Sequence, residues 1–451
     1  MSSTSGSPRQ LKSKKKGATK PPAKRSPSAS EIARNFKNFE IWSSHNRCEQ
    51  ASFEDLPEDF KDDVHEIFDF SSKPRLPSSW LDHNSPEFKS LATLASKGLI
   101  KFLEEIHDQN PKLFGEIEDS KVPGLLEKIG IVHSAWRRLD MMKQSKEKYS
   151  EADYAANVYN VFRSPAIQES TLRVQCNISL PQPVVTTALD PETVRILGTK
   201  AAAPDCAMMI PSAAISSLSL SKNSPFQVLK RHPNVVKSGN VSKCSSFRFQ
   251  STPLVAPPEM PAFQFCSSFS EDKKPVHQML EDAYRPNRMS TTAAARHLHT
   301  HHVVAPIFGL VWASGTVRAH VDWWAVPEGP GKNKHPTIYS APYLVEDRGE
   351  GADTFHEWQL DKAADIVEVF FLIENIDHWT VNGFCERVIK GVKDLQESVV
   401  KRKEPYIAWK RVGDLSPSSA TAKENNVAIS ASTTSSAQST PPQKSRNRHR
   451  R

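Results

Sequence analysis

The central part of the chain alternates short apolar runs, typical of strands, with longer segments whose apolar residues recur at helical spacing. The predicted elements, in order, are a helix that Ser150 caps and that ends near Pro165, strands over 172–178, 205–210 and 263–269, a helix from Val276 to about His302, strands over 307–312 and 316–323, and a helical region from Val367 to about Val400. This order favours an α/β domain over 150–411, with a mixed central sheet flanked by helices.

Residues 40–145 also have helical periodicity and are predicted to form an N-terminal helical region. Within this region, Ser85 is predicted to be the N-cap of a helix, and Pro86 its first residue. The apolar stripe of that helix continues to Ile106.

Three segments are rich in Ser, Pro, Lys or Thr and poor in large apolar residues. Residues 1–35 and 412–451 cannot bury enough apolar surface to offset the entropy of ordering, so both are predicted to be disordered tails. Residues 222–262, inside the predicted domain, are predicted to be a long surface insertion.

The net charge of +8 is concentrated in the tails. Residues 1–25 hold eight Lys or Arg and no acid, and the last eight residues hold five more. Without these thirteen residues the net charge is −5, so the body is not a broadly cationic nucleic-acid binder, although a local basic cleft stays open. The basic clusters Lys14 to Lys16 and Lys24-Arg25 predict nuclear import; the alternative is a tail that only adds solubility.

Several classes of protein and site are disfavoured. The six cysteines include no Cys-x-x-Cys pair, which argues against a zinc site. No segment has the pattern of a signal peptide or a membrane span, so we expect an intracellular protein without a membrane partner. The absence of His-Arg-Asp and Asp-Phe-Gly triplets argues against a protein kinase. A run of histidines is predicted to be a solvated or helix-end cluster rather than a metal site: His297, His299, His301 and His302.

Two carboxylates and a lysine are predicted to meet at one edge of the sheet. Asp205 follows Pro204 at the start of an apolar run, and Glu271 and Lys273 follow the strand that ends at Phe269. Residues i and i+2 of a strand point to the same face, so Glu271 and Lys273 are expected to project together, where Asp205 can join them. Asp205 and Glu271 are then candidate Mg²⁺ ligands, and Lys273 is a candidate for orienting water or stabilising charge on a phosphoryl group.

At these residues the chain resembles the PD-(D/E)XK nuclease superfamily, and within it the fungal proteins with a PD-(D/E)XK nuclease-like domain. Pro204-Asp205 matches the PD element, and Glu271-Asp272-Lys273 matches the ExK element. The resemblance implies a restriction-endonuclease-like fold and Mg²⁺-dependent hydrolysis of phosphodiester bonds in nucleic acid. It also implies a catalytic role for Asp205, Glu271 and Lys273.

The same resemblance draws attention to Glu151, because an acidic residue is common on the helix that precedes the first strand in this superfamily. An acid in the first turn of a helix is also favoured by the helix dipole alone, so Glu151 has an ordinary structural explanation as well.

Three alternatives stay open. Asp272 and Lys274 match a DxK motif equally well; Glu271 and Lys273 are preferred because they continue the odd-numbered phase of Phe269. The charged residues are also typical of a solvated turn and strand exit. A non-catalytic binding or regulatory module that keeps the fold is the alternative function. The sequence leaves open the choice between DNA and RNA, and the oligomeric state.

Overall fold

A computed structural model of the protein describes residues 25–70, 73–118, 120–185, 187–238, 247–275, 280–327, 335–344 and 355–413. The helices are α1 (Ala29–Arg34), α2 (Phe36–His45), α3 (Glu58–Phe68), α4 (Pro86–Leu94), α5 (Lys97–Gln109), α6 (Val122–Gln144), α7 (Glu151–Tyr154), α8 (Asn160–Ala166), α9 (Pro191–Leu197), α10 (Pro225–Arg231), α11 (Pro233–Ser238), α12 (Glu281–Thr300), α13 (Ala363–Val381) and α14 (Gly383–Glu397). The strands are β1 (Cys48–Gln50), β2 (Leu76–Pro77), β3 (Phe114–Gly115), β4 (Thr171–Val174), β5 (Ile178–Ser179), β6 (Ala201–Ala202), β7 (Cys206–Met209), β8 (Cys266–Asp272), β9 (Ile307–Ala313), β10 (Thr316–Ala325), β11 (Thr337–Pro342) and β12 (Trp358–Gln359).

Eight of these strands form one mixed sheet in the order β1-β11-β10-β9-β8-β7-β4, with β12 also paired to β10. Strand β8 lies in the interior of the sheet, antiparallel to β7 and parallel to β9. Strand β4 pairs antiparallel with β7, and β1 pairs parallel with β11. The predicted α/β class, with a mixed central sheet flanked by helices, is confirmed.

Helices cover both faces of the sheet. The Phe308 ring of β9 contacts Trp379 of α13, whereas the adjacent Gly309 faces Asn287 of α12. Because neighbouring residues of a strand point to opposite faces, α12 and α13 lie on opposite sides. Strand β9 is accordingly buried along its whole length, as expected for a strand covered on both faces.

The helices of the predicted N-terminal region pack against the central domain. Helices α3, α5 and α6 all contact α13, and one apolar core extends from Ala29 to Trp409. Strand β1, within the region predicted to be helical, joins the edge of the sheet. The predicted stripe from Phe88 to Ile106 is divided between α4 and α5, because Ser96 caps a new helix. No helix in the described ranges is long and apolar enough to cross a membrane.

The predicted N-terminal tail is too long. Ser28 caps α1 through a reciprocal capping box with Glu31, and Ile32 and Ala33 are buried. The Thr199 hydroxyl donates to the Pro27 carbonyl, 2.7 Å away, which ties this segment to the body. Residues 25–35 are therefore folded, whereas 1–24 and 414–451 lie outside the described residues.

Part of the predicted surface insertion at 222–262 belongs to the core. Helices α10 and α11 form there, and Phe226 and Leu229 are completely buried. Phe226 packs against Phe247 and Phe263. Phe226 and Leu229 are three residues apart on α10, so their side chains lie on the same face of the helix and are buried together.

Two strand boundaries also differ from the prediction. Strand β8 begins three residues later than predicted and continues to Asp272, so Glu271 lies within it. The strand predicted over 172–178 is divided into β4 and β5, because Gln175 has a left-handed backbone with φ of 50°. The loop between β9 and β10 is a short hairpin turn, with positive φ at Ser314 and Gly315.

A buried polar cluster joins α12 to the sheet. His320 of β10 has Nδ1 2.8 Å from Asp322 Oδ1 and Nε2 3.0 Å from Asn287 Oδ1. The Asn287 amide nitrogen donates to the carbonyls of Phe269 and Leu310, so its oxygen faces the imidazole. The cluster therefore connects β8, β9, β10 and α12.

We predict that this cluster leaves no room for a side chain at Gly309, since a Cβ there would lie 2.0 Å from His320 Nε2. Gly309→Ala should lower the free energy of unfolding by about 2 kcal/mol or more in urea denaturation. Gly130→Ala on α6 is the control, because nothing lies within 4 Å of its Cβ. A Gly309→Ala variant as stable as the wild type would contradict the described packing of His320 on β9.

Candidate active site

The end of β8 lies beside the residue that precedes β7. The Asp205 N–H donates to the Ser270 carbonyl at 3.1 Å, and Asp205 Oδ2 accepts from the Asp272 N–H at 2.7 Å. Glu271 is the last but one residue of β8, and Lys273 follows the strand. The structure therefore brings Asp205, Glu271 and Lys273 together.

These three side chains line one pocket of about 280 Å³. The pocket lining consists of Ser30, Arg34, Glu151, Ala203, Asp205, Glu271, Lys273 and Asp282. Four of these residues are acids and two are bases, so acidic groups outnumber basic ones in the pocket.

Lys273 is the cation most closely engaged with the acids. Its Nζ lies 3.0 Å from Glu271 Oε1 and 3.8 Å from Glu151 Oε1. It also donates to the Asp272 carbonyl at 2.8 Å. Burial alone would lower the pKa of Lys273, but the neighbouring carboxylates, Glu271 foremost, raise it, so the ammonium stays charged.

Asp205 and Glu271, the two predicted metal-binding acids, have too little positive charge nearby to offset the cost of burying their carboxylates. Burial raises the pKa of Glu271 to about 8, because its effect outweighs the lowering by the Lys273 charge, and the nearby Asp205 charge raises this pKa further. Burial, and then the Asp272 carboxylate, raises the pKa of Asp205 to about 6. A deprotonated pair in this pocket therefore needs more positive charge than Lys273 provides.

Asp272 points to the opposite side of β8. Its carboxylate forms a buried ion pair of 2.7 Å with Arg163 of α8, whose guanidinium lies over the Trp312 ring. The alternative motif of Asp272 and Lys274 would therefore place its acid away from the pocket. Asp272 instead holds the end of β8 in place, and its neighbours Glu271 and Lys273 line the pocket.

Helix α7 supplies Glu151 from its first turn, after a capping box between Ser150 and Asp153. A π-helical stretch, Ala155–Tyr159, then joins α7 to α8. The Tyr159 hydroxyl, at the end of that stretch, donates to the Lys273 carbonyl at 3.0 Å. The helical segment from Glu151 to Tyr159 thus contacts Lys273 twice: Glu151 lies near its ammonium, and Tyr159 donates to its carbonyl.

Three polar residues of the lining were not predicted from the sequence: Ser30, Arg34 and Asp282. Ser30 and Arg34 lie on α1, in a segment assigned to the tail. A signal was present, because Ser28 and Glu31 have the spacing of a capping box followed by apolar Ile32. No comparable signal pointed to Asp282.

The histidine run lies at the end of α12, but it is not a solvated cluster: His297 and His301 are buried, and His299 and His302 are half-buried. His297 and His301 pack against each other and against the Phe265 ring. Burial lowers the pKa of His301 to about 4, which keeps the ring neutral in the core. Over the part of the chain that the structure describes, no group of three or more His, Cys, Asp or Glu side chains is placed to hold a metal ion.

Comparison with known proteins gives no family assignment. No protein-family model matches the chain, and no curated protein matches it. The pocket chemistry therefore carries any functional proposal.

We predict that the metal-free protein loses stability as the pH rises, because of Glu271. The folded state keeps the Glu271 proton up to about pH 8, whereas an ordinary glutamate releases it near 4.5, so the unfolded state is increasingly favoured between these values. Glu271→Gln cannot ionise. It should become more stable relative to the wild type across that window, by about 2 kcal/mol or more in urea unfolding with a chelator present.

Glu147→Gln is the control for this pH series, since it removes an exposed carboxylate outside the pocket. Its stability difference from the wild type should stay constant with pH. A Glu271→Gln difference that is equally flat would show that Glu271 does not hold a proton in the folded protein.

Proposed function

We propose that this protein is a metal-dependent nuclease of the PD-(D/E)XK type that hydrolyses phosphodiester bonds. The observation that carries the proposal is the convergence of Asp205, Glu271 and Lys273 in one pocket. The element order supports it as well: the helical segment of α7 and α8, then β4, β7, β8, α12 and β9. We propose that these elements form a restriction-endonuclease-like core.

The acids of the pocket fit a hard divalent cation. Mg²⁺ is usually bound through one or two carboxylates and keeps several waters, so a three-residue cage is not required. Asp205 and Glu271 would hold it. Burial disfavours the charged form of both carboxylates, and a bound cation would stabilise that form. Bound there, Mg²⁺ would supply polarisation of the phosphate and an acidified water.

The chain's own residues would orient the reacting groups and hold the site in shape. The Lys273 ammonium has three donors and can orient a water or offset charge on phosphoryl oxygens. Its hydrogen bond to the Asp272 carbonyl and the Tyr159 bond to its own carbonyl fix its position. The Arg163–Asp272 ion pair, on the other face, holds β8 so that Glu271 faces the pocket.

A non-catalytic binding module is the second candidate. The excess of acids in the pocket favours it, since without a metal these residues would repel a phosphate group. The two proposals differ in whether metal binding leads to turnover.

We also propose a nuclear location, supported by the basic clusters of the N-terminal segment. The lysines of these clusters lie outside the described residues. Arg25, which ends the second cluster, is paired with Glu31 at 2.6 Å, so it also takes part in the folded segment.

The catalytic prediction separates metal binding from turnover. Cleavage of nucleic acid should require Mg²⁺ or Mn²⁺ and should stop with a chelator. Asp205→Asn and Glu271→Gln should weaken Mn²⁺ binding in calorimetry, because an amide is a poorer ligand for a hard cation. Lys273→Ala should keep metal binding and reduce the cleavage rate about a hundredfold or more.

Lys274→Ala is the matched control, since Lys274 is the lysine of the alternative motif and does not line the pocket. It should cleave like the wild type. Asp272→Asn is unsuitable as a control, because leaving Arg163 buried without its partner should cost about 3–5 kcal/mol of stability. Loss of cleavage in Lys274→Ala but not in Lys273→Ala would overturn the assignment. A wild-type protein that binds Mn²⁺ yet cuts no nucleic acid would favour the binding module.

A further inference from the structure

The second base of the pocket comes from an element with no role in the proposed motif. Arg34 is the last residue of α1, and its side chain lines the pocket together with Asp205, Glu271 and Lys273. Lys273 is engaged with two carboxylates and a carbonyl. Arg34, by contrast, is exposed, and its side chain forms no ion pair or hydrogen bond with any residue that the structure describes.

The backbone that carries Arg34 is firmly held. The adjacent Ala33 is buried, and its carbonyl accepts a hydrogen bond of 3.2 Å from Arg285 of α12. Asn35 follows directly and caps α2. The backbone of Arg34 is therefore fixed beside the pocket, which reduces the entropy lost when the guanidinium binds a ligand.

The composition of the lining limits what the pocket can recognise. None of its described residues has an aromatic ring on which a base could stack, or a side-chain amide that could pair with a base edge. A volume of about 280 Å³ suits a phosphate group with a hydrated cation rather than a whole nucleotide with its metal and waters. Contacts to phosphates position a nucleic acid without reading its sequence.

We infer that Arg34 binds a backbone phosphate of a polynucleotide substrate, and that the site accepts this backbone without reading the bases. The inference rests on the proposed nuclease function and specifies its substrate. An arginine suits this role because its planar guanidinium can bind two phosphate oxygens at once. In the simpler alternative, Arg34 only offsets the charge of the four acids, and it would then affect metal binding alone.

Full-length protein tests this with labelled oligonucleotides of different base composition, in Ca²⁺ to slow cleavage. Arg34→Ala should weaken oligonucleotide binding about tenfold, by a similar factor for every base composition, because one charge-assisted contact is lost. Arg34→Lys should retain part of the affinity, since it keeps the charge without the two-pronged geometry. Mn²⁺ affinity, measured by calorimetry, should not decrease in either variant.

Lys37→Ala is the matched control: Lys37 is an exposed base on the neighbouring helix that does not line the pocket. It should bind oligonucleotides like the wild type. The inference is overturned if Arg34→Ala binds as tightly as the wild type, if its loss depends on the bases, if its Mn²⁺ affinity falls, or if the wild type binds no oligonucleotide. A wild type that binds through Arg34 but cleaves nothing would contradict the nuclease proposal and leave this inference standing.

Discussion

The Arg163–Asp272 ion pair lies within the protein, with both side chains at most 3% exposed. Two charges removed from water are tolerated only when they neutralise each other and find further partners. Arg163 meets this condition through a second bond to Asp272 and its contact with the Trp312 ring. The rest of the site depends on this pair, because it sets which way each residue at the end of β8 points.

On the other side of β8 the charges are not balanced. Lys273 faces Glu271 and Glu151, and Asp205 lies close enough for its charge to act on both Glu271 and Lys273. Such an arrangement costs stability, which is typical of functional sites rather than of structural ion pairs. A bound divalent cation would remove the imbalance, and we regard this as the strongest physical reason to propose a metal site here.

The sequence predicted local features well and long-range ones poorly. The phase of Glu271 and Lys273 followed from alternation along one strand, and the Ser85 cap followed from adjacent residues. The capping box of Ser28 and Glu31 signals α1, but no local pattern reveals that α1 packs on α12, some 250 residues later in the chain. The pairing of β1 with β11 is equally remote. Arg34 was missed for this reason, since the pocket assembles it with residues from distant segments. The buried His297 and His301 were misjudged because polar residues were assumed to be solvated.

We propose that Asp205 and Glu271 form a binding site for a divalent cation. The most direct test is a crystal structure of the wild-type protein soaked in Mn²⁺, with anomalous scattering measured to locate the ion. We expect an anomalous peak in the pocket, within coordination distance of both carboxylates. Full occupancy of Mn²⁺ at another place, or no peak in the pocket at saturating Mn²⁺, would contradict it.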